Sequence, residues 1–207
     1  MLRKLPIVGV FGQGTPIGED HARLARAVGM LVAGLGAHLL TGGGYGVMEA
    51  VTEAFVAAPG RAGLSIGDIP RDPEGPFDMP NQTLGLRYPN AFVEIAIRTP
   101  LLSLVPDWRQ TPARNHVNVL TADAIVALPG NEGTRNELDM AIEYAGEAAR
   151  PREQRHTILF GPIESFATRH REHFVCAATI GEVETHLRGV LATRKFDLDH
   201  KYLEHKS

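Results

Sequence analysis

The chain has 207 residues, 43% of them hydrophobic and 22% charged, with a formal net charge of −3 when histidine is neutral. That length suits one compact domain plus a tail, and no apolar run is long enough to span a bilayer. The small negative charge gives no general electrostatic reason to bind nucleic acid or an anionic membrane, so any anion must be gripped locally.

Ile7-Val8-Gly9-Val10-Phe11-Gly12 reads as a short buried strand, apolar throughout and closed by glycine. The turn Gly12-Gln13-Gly14-Thr15-Pro16-Ile17-Gly18 follows it. Ala22, Ala25, Val28, Leu31, Val32 and Leu35 then recur at helical spacing until Gly36. His38 to Thr41 is a second strand ending in Gly42-Gly43-Gly44, and Tyr45 to Ala57 places Val47, Met48, Val51, Ala54 and Phe55 on a helical face. Gly63 to Gly67 reads as a third strand that ends by Pro70. Phe92 to Ile97 alternates, as a partly exposed strand does. Pro112 opens a helix running through Leu120. Asp123 to Leu128 is a buried strand, and the helix from Thr134 to about Tyr144 buries Leu138, Ala141 and Ile142. Thr157 to Gly161 is a further strand, and Thr179-Ile180-Gly181-Glu182 has the form of a capping box that opens a last helix.

Strands alternating with helices imply βαβ units, hence an α/β, Rossmann-like three-layer fold with a central parallel sheet flanked by helices. One domain over residues 1–193 and a charged tail over 194–207 are expected. In such sheets ligands collect at the carboxyl ends of the strands. Three glycine-rich turns fall there, at 12–18, 42–46 and 130–133. Each aims several backbone N–H groups toward one point, and the helix that follows adds its partial positive end. In Pro129-Gly130-Asn131-Glu132-Gly133-Thr134 the Thr134 hydroxyl adds a donor, so this turn reads as the phosphate site. A tight turn without a ligand is the alternative for any one of the three, and is less probable for three at one edge. Gly12-x-Gly14-x-x-x-Gly18 has the wrong last interval for a dinucleotide fingerprint, and there is no Gly-Lys-Ser/Thr, which demotes NAD binding and ATP hydrolysis.

Gly42-Gly43-Gly44-Tyr45-Gly46-Val47-Met48 resembles a GGGxxGxM signature. Arg114, followed by Pro129-Gly130-Asn131-Glu132-Gly133-Thr134-Arg135-Asn136-Glu137, resembles an R…PGGxGTxxE signature. Both belong to the superfamily of Lonely Guy phosphoribohydrolases, whose members are often mislabelled lysine decarboxylases, and the resemblance runs from about residue 7 to residue 192. The stretch Tyr88 to Thr99, with Ala113-Arg114-Asn115, is similar to the molybdenum-cofactor-carrier-like branch. The phosphoribohydrolases have Arg-Lys where this chain has Arg114-Asn115, and usually a methionine nearby, where it has Asn118. Asn131 replaces the second glycine of the PGG turn, and its side chain is expected to intrude where the family leaves room.

The resemblance implies a small phosphorylated ligand, either a nucleotide monophosphate or a molybdopterin-type pterin, held by Gly12, Gly14, Gly42, Gly43, Gly44, Gly46, Met48, Asn115, Pro129, Gly130, Asn131, Glu132, Gly133 and Thr134. No cofactor is required. Arg114 suits a phosphate or a purine-like edge. Glu137, read as lying in the first turn of its helix, either complements the helix dipole or, in a phosphoribohydrolase, stabilises the cationic sugar and orients water. A carrier that binds without chemistry is the first reading and a nucleoside 5′-monophosphate phosphoribohydrolase the second; a ligand-sensing interaction module is a third. A homodimer through helices flanking the site is also implied.

The single cysteine, Cys176, fits a reducing cytoplasm, as does the absence of a signal-peptide pattern after Met1. Among Phe174, Val175 and Ala177 it reads as a buried thiol. His156, His170, His173, His186 and His200 lack zinc-ligand spacing, so no metal is expected. His116 is a pocket candidate, Asp123 a structural residue, and Trp108 a lid or interface anchor. The irregular segment Arg71–Pro112 is expected to close partly over the ligand.

Overall fold

The computed structural model describes residues 5–70, 80–81, 86–99, 113–146, 156–162 and 173–193. Trp108, Pro112, His170, most of the Arg71–Pro112 segment and the tail from Arg194 lie outside the described residues.

The chain runs β1 (Ile7–Phe11), α1 (Glu19–Gly34), β2 (His38–Thr41), α2 (Val47–Ala57), β3 (Ser65–Pro70), β4 (Pro80–Asn81), β5 (Leu86–Arg87) and β6 (Ile95–Thr99). It continues through α3 (Ala113–Thr121), β7 (Ala124–Ala127), α4 (Glu132–Gly146), β8 (His156–Phe160), β9 (Val175–Ala177) and α5 (Ile180–Thr193). A seven-stranded sheet has the order β6-β3-β2-β1-β7-β8-β9, every pairing parallel. Strand order reverses at β1, with β2 on one side and β7 on the other. In open parallel sheets that reversal is where a crevice forms.

Side-chain alternation assigns the two faces. Val8 and Val10 of β1, with Val126 of β7, pack on Ala25, Val28 and Val32 of α1, Val51 and Phe55 of α2, and Val183 and Leu187 of α5. Phe11 and Ile125 point the other way, into Val119 of α3 and Met140 and Ala141 of α4. Both faces of β1 and β7 are thus buried, which is why their sequences are apolar runs without alternation. A Cβ at Gly29 of α1 would stand 2.3 Å from the Val51 carbonyl, so glycine lets α1 and α2 touch backbone to backbone. The α1 helix ends on Gly36 at φ +68, with its last carbonyls taken by Gly36 and Ala37 N–H groups. At α5 the expected capping box is formed: Thr179 Oγ1 accepts from Glu182 N–H at 3.3 Å, and Glu182 Oε2 accepts from Thr179 N–H at 3.2 Å.

Several boundaries differ from those read in the sequence. The third strand begins at Ser65 because Gly63 is pressed onto the Ala37 backbone, where a Cβ would meet the carbonyl oxygen at 1.9 Å. The strand expected at 92–97 pairs over Ile95–Thr99, since Phe92 and Glu94 are engaged by Ser65. It is an edge strand with Ile95 and Ile97 exposed. Cys176 is exposed, not buried. It lies on β9, the other edge, where only Ala177 reaches the core beneath α5. Among the described residues, no helix is long and apolar enough to cross a membrane.

Candidate functional site

The three glycine turns meet at the carboxyl edge of the sheet. Gln13 carbonyl accepts the Val47 N–H at 2.9 Å, joining the first turn to the start of α2. Gly46, at φ +65, faces the Gln13 and Thr15 carbonyls so closely that a Cβ would lie 2.5 and 2.3 Å from them. Gly43 also has positive φ, +67, and its N–H is held by Thr41 Oγ1. Gly130 is needed for space and not for φ. A Cβ there would sit 2.1 Å from Thr134 Oγ1, 2.6 Å from Thr134 Cβ and 3.1 Å from Gln13 N. Met48 threads between glycines 14, 42 and 44, with side-chain atoms within 3.1 Å of the Cβ position of each. Its place in the motif is that of a wedge filling what the glycines leave.

Asn131 precedes α4, and its Oδ1 accepts the Gly133 N–H at 3.2 Å. The side chain is exposed and turned back on the helix start, as an N-cap residue does. The expected intrusion into the ligand space is therefore replaced by a cap. This cap also starts α4 at Glu132, so Glu137 lies in the second turn, beyond the reach of a simple dipole role. Glu132 is exposed and paired with Arg135 at 3.5 Å.

Arg114 and Asn118, four residues apart, share one face of α3. Arg114 Nη1 donates to the Gly42 carbonyl at 3.0 Å, and its guanidinium lies 5.4 Å from the centre of the Tyr88 ring. Tyr88 in turn flanks Gly44, whose carbonyl accepts from Asn90 Nδ2 at 2.6 Å. Asn118 Nδ2 makes a long contact of 3.5 Å to Glu137 Oε1. Asn115 is buried beside Arg114 in the chain. His116 turns to the Tyr144 hydroxyl of α4, so a structural contact accounts for it. Asp123 Oδ2 accepts from Ile7 N–H at 2.8 Å and ties β7 to β1. Among the described residues, no group of three or more His, Cys, Asp or Glu is disposed to hold a metal ion.

Sequence reasoning had passed over Asp68, Tyr88 and Asn90 as site residues, and had noted Asn118 only as a departure from a pattern. A carboxylate near the end of an otherwise apolar strand was the available signal for Asp68. It is fully buried; Thr99 Oγ1 donates to its Oδ1 at 3.0 Å.

Burial pushes the Glu137 carboxyl up to about 7, although Arg114 and the Asn118 contact both favour its charged form. Asp68 is pushed up to about 6 by burial, against the Thr99 bond and the Arg114 charge. A carboxyl raised in the folded state contributes stability that is full below its unfolded value and is lost as pH rises through the folded one. Between pH 4.5 and 7.5, Glu137→Gln should therefore gain about 3 kcal/mol of stability relative to the wild type. Urea unfolding of both proteins across that range checks this. A stability difference that stays flat with pH would contradict it.

Residues 5–151 match the model of the SLOG cluster4 family. An uncharacterized protein of Archaeoglobus fulgidus is 31% identical over 146 residues, or 70% of this chain and 80% of its own length. The molybdenum cofactor binding protein of the phototrophic bacterium Rippkaea orientalis has a similar structure, with 27% identity, a TM-score of 0.65, and coverage of 91% of this chain and 98% of its own. The molybdenum cofactor carrier protein of Chlamydomonas reinhardtii shares the fold at 23% identity and a TM-score of 0.66, over 92% of this chain and all of its own.

Proposed function

This chain belongs to the SLOG cluster4 family, and from that premise we propose that it binds a phosphorylated nucleotide or pterin derivative at the carboxyl edge of its sheet, as a carrier or binding protein. One observation carries the reading. Among the described residues, Asp68 Oδ2, Arg114 Nε, Asn118 Oδ1 and Thr134 Oγ1 are buried side-chain polar atoms with no hydrogen-bond partner. Buried polar groups in folded proteins are nearly always paired, because an unpaired one costs about 1–3 kcal/mol. Here the orphans gather at one sheet edge and include a donor, two acceptors and a hydroxyl. A ligand with a phosphate at one end and polar edges elsewhere would satisfy them together.

In this reading the Pro129–Thr134 turn, the start of α4 and the Thr134 hydroxyl hold the phosphate. Arg114, steadied by Gly42 and Tyr88, presents its free Nε–H to the ligand. The likeness to the Rippkaea orientalis protein supports a molybdopterin-type pterin as one such ligand.

One feature favours a second reading, a nucleoside 5′-monophosphate phosphoribohydrolase. A carboxyl with a value about 7, buried beside an arginine, is poised to give or take a proton near neutral pH. The two readings separate on incubation with AMP and GMP. The carrier reading expects saturable binding of a monophosphate, seen by calorimetry, with no free base formed. Base release that is lost in Glu137→Gln would establish the hydrolase instead, and no binding of any monophosphate or pterin phosphate would end both.

A further inference from the structure

Asp68 Oδ2 and Asn118 Oδ1 are the orphaned acceptors, which the acceptor oxygens of a phosphate cannot satisfy, and of the two only Asp68 is a carboxylate. Strand register fixes its direction. Leu39 pairs with Ser65, Leu40 with Ile66 and Thr41 with Gly67. Leu39 belongs to the α1–α2 side of the sheet. Alternation therefore puts Ser65 and Gly67 on that side and sends Asp68 to the side of α3 and α4. One step past the Thr41–Gly67 pair, Asp68 comes level with Gly42, whose carbonyl holds Arg114. Thr99 occupies Oδ1, leaving Oδ2 as a buried acceptor with nothing to accept.

Its distance from the phosphate turn matters as much as its direction. That turn follows β7, and from β7 the sheet steps through β1 and β2 to β3. Three steps at the usual strand spacing come to roughly 14 Å. A phosphorylated nucleoside or pterin laid along the edge has its ring system at that end. A carboxylate there accepts and cannot donate, so the ring must offer it an N–H.

We propose that Asp68 is a specificity-determining ligand contact, its free Oδ2 accepting an N–H from the amide edge shared by guanine- and pterin-type heterocycles. The assignment rests on the phosphorylated-ligand pocket proposed above. An adenine ring presents an acceptor nitrogen at the corresponding edge position, which would face the carboxylate lone pairs and leave both groups unpaired. The selection is thus made by repulsion of one class of ring as well as by attraction of the other.

Calorimetric titration of the full chain with GMP, IMP, AMP and inorganic phosphate at mildly alkaline pH tests this. GMP and IMP, which share the ring N–H, should bind about tenfold or more tighter than AMP. In Asp68→Asn that ratio should collapse toward unity, because an amide can turn either its oxygen or its nitrogen to the ring. Should that variant fold poorly, Asp68→Ser, which removes the carboxylate in a smaller side chain that can donate or accept, should narrow the ratio likewise. Equal affinity for GMP and AMP, or a preference that Asp68→Asn leaves in place, would overturn the role of Asp68 while the pocket stands. Binding of inorganic phosphate without any nucleotide would do the same. No binding of any of the four, with a pterin phosphate failing to bind as well, would remove the pocket and the assignment together.

Discussion

Arg114→Ala is expected to weaken monophosphate binding by about a hundredfold or more while the protein still folds. Removing one partner of a buried, hydrogen-bonded charge pair costs about 2–5 kcal/mol of binding. Arg114 is that partner for any anionic ligand lying between the turns. Its stem also matters, because one guanidinium nitrogen is committed to the Gly42 carbonyl and the ring face of Tyr88 sits beside it. Those contacts hold the guanidinium in place while its Nε–H stays buried without a partner. A lysine has three donors on a flexible stem and no planar fork, so Arg114→Lys should recover little of the loss. The variant has a second signature. Arg114 lowers the values of both Glu137 and Asp68, so its removal should let both rise further. Titration calorimetry reads the first effect, and carboxyl-carbon NMR across pH reads the second. Wild-type affinity in Arg114→Ala would remove the arginine from the site.

Gly130→Ala should be comparably damaging by a different route. The added Cβ would overlap Thr134 Oγ1 at 2.1 Å and Thr134 Cβ at 2.6 Å. Rotating the hydroxyl away relieves only the first contact, so the backbone must move, and on the far side stands Gln13 N at 3.1 Å. Overpacking of this kind costs about 1–3 kcal/mol of stability. In the proposed binding mode the turn that moves also carries the phosphate contacts. Misaligning one hydrogen bond to a charged group costs about 1.5–3 kcal/mol, which is tenfold or more in affinity. Denaturant unfolding and phosphate titration on the same preparation separate the two losses. Stability and affinity both at wild-type level would mean that the turn has room to spare.

Much of the fold was legible in the chain because burial on both faces leaves a plain mark. The run from Ala124 to Ala127 is apolar without alternation, and it lies inside the sheet between β1 and β8. The resemblance to the Lonely Guy superfamily, near its carrier-like branch, was likewise readable in glycines whose spacing reflects turns. What could not be read depends on pairing between distant segments. Asp68 shows which face it occupies only once β3 is registered against β2. Tyr88 and Asn90 reach the glycine turn from more than forty residues away in sequence. Cys176 was misjudged for the same reason: apolar neighbours suggest burial, but β9 has a strand on one side only. Glu137 falls in the second turn and not the first because α4 starts two residues before Thr134, at Glu132, capped by Asn131.

Asn131 also bears on how tightly the turn would hold an anion. In a turn built of glycines, the N–H groups at the helix start have only water or the ligand's phosphate to meet. Here the Gly133 N–H already has an oxygen of the chain's own, held at 3.2 Å. In the binding mode proposed above, an arriving phosphate would have to displace this neutral stand-in to claim that donor. The cap is expected to lower the affinity of the turn for an anion by the cost of that displacement, relative to a glycine at position 131.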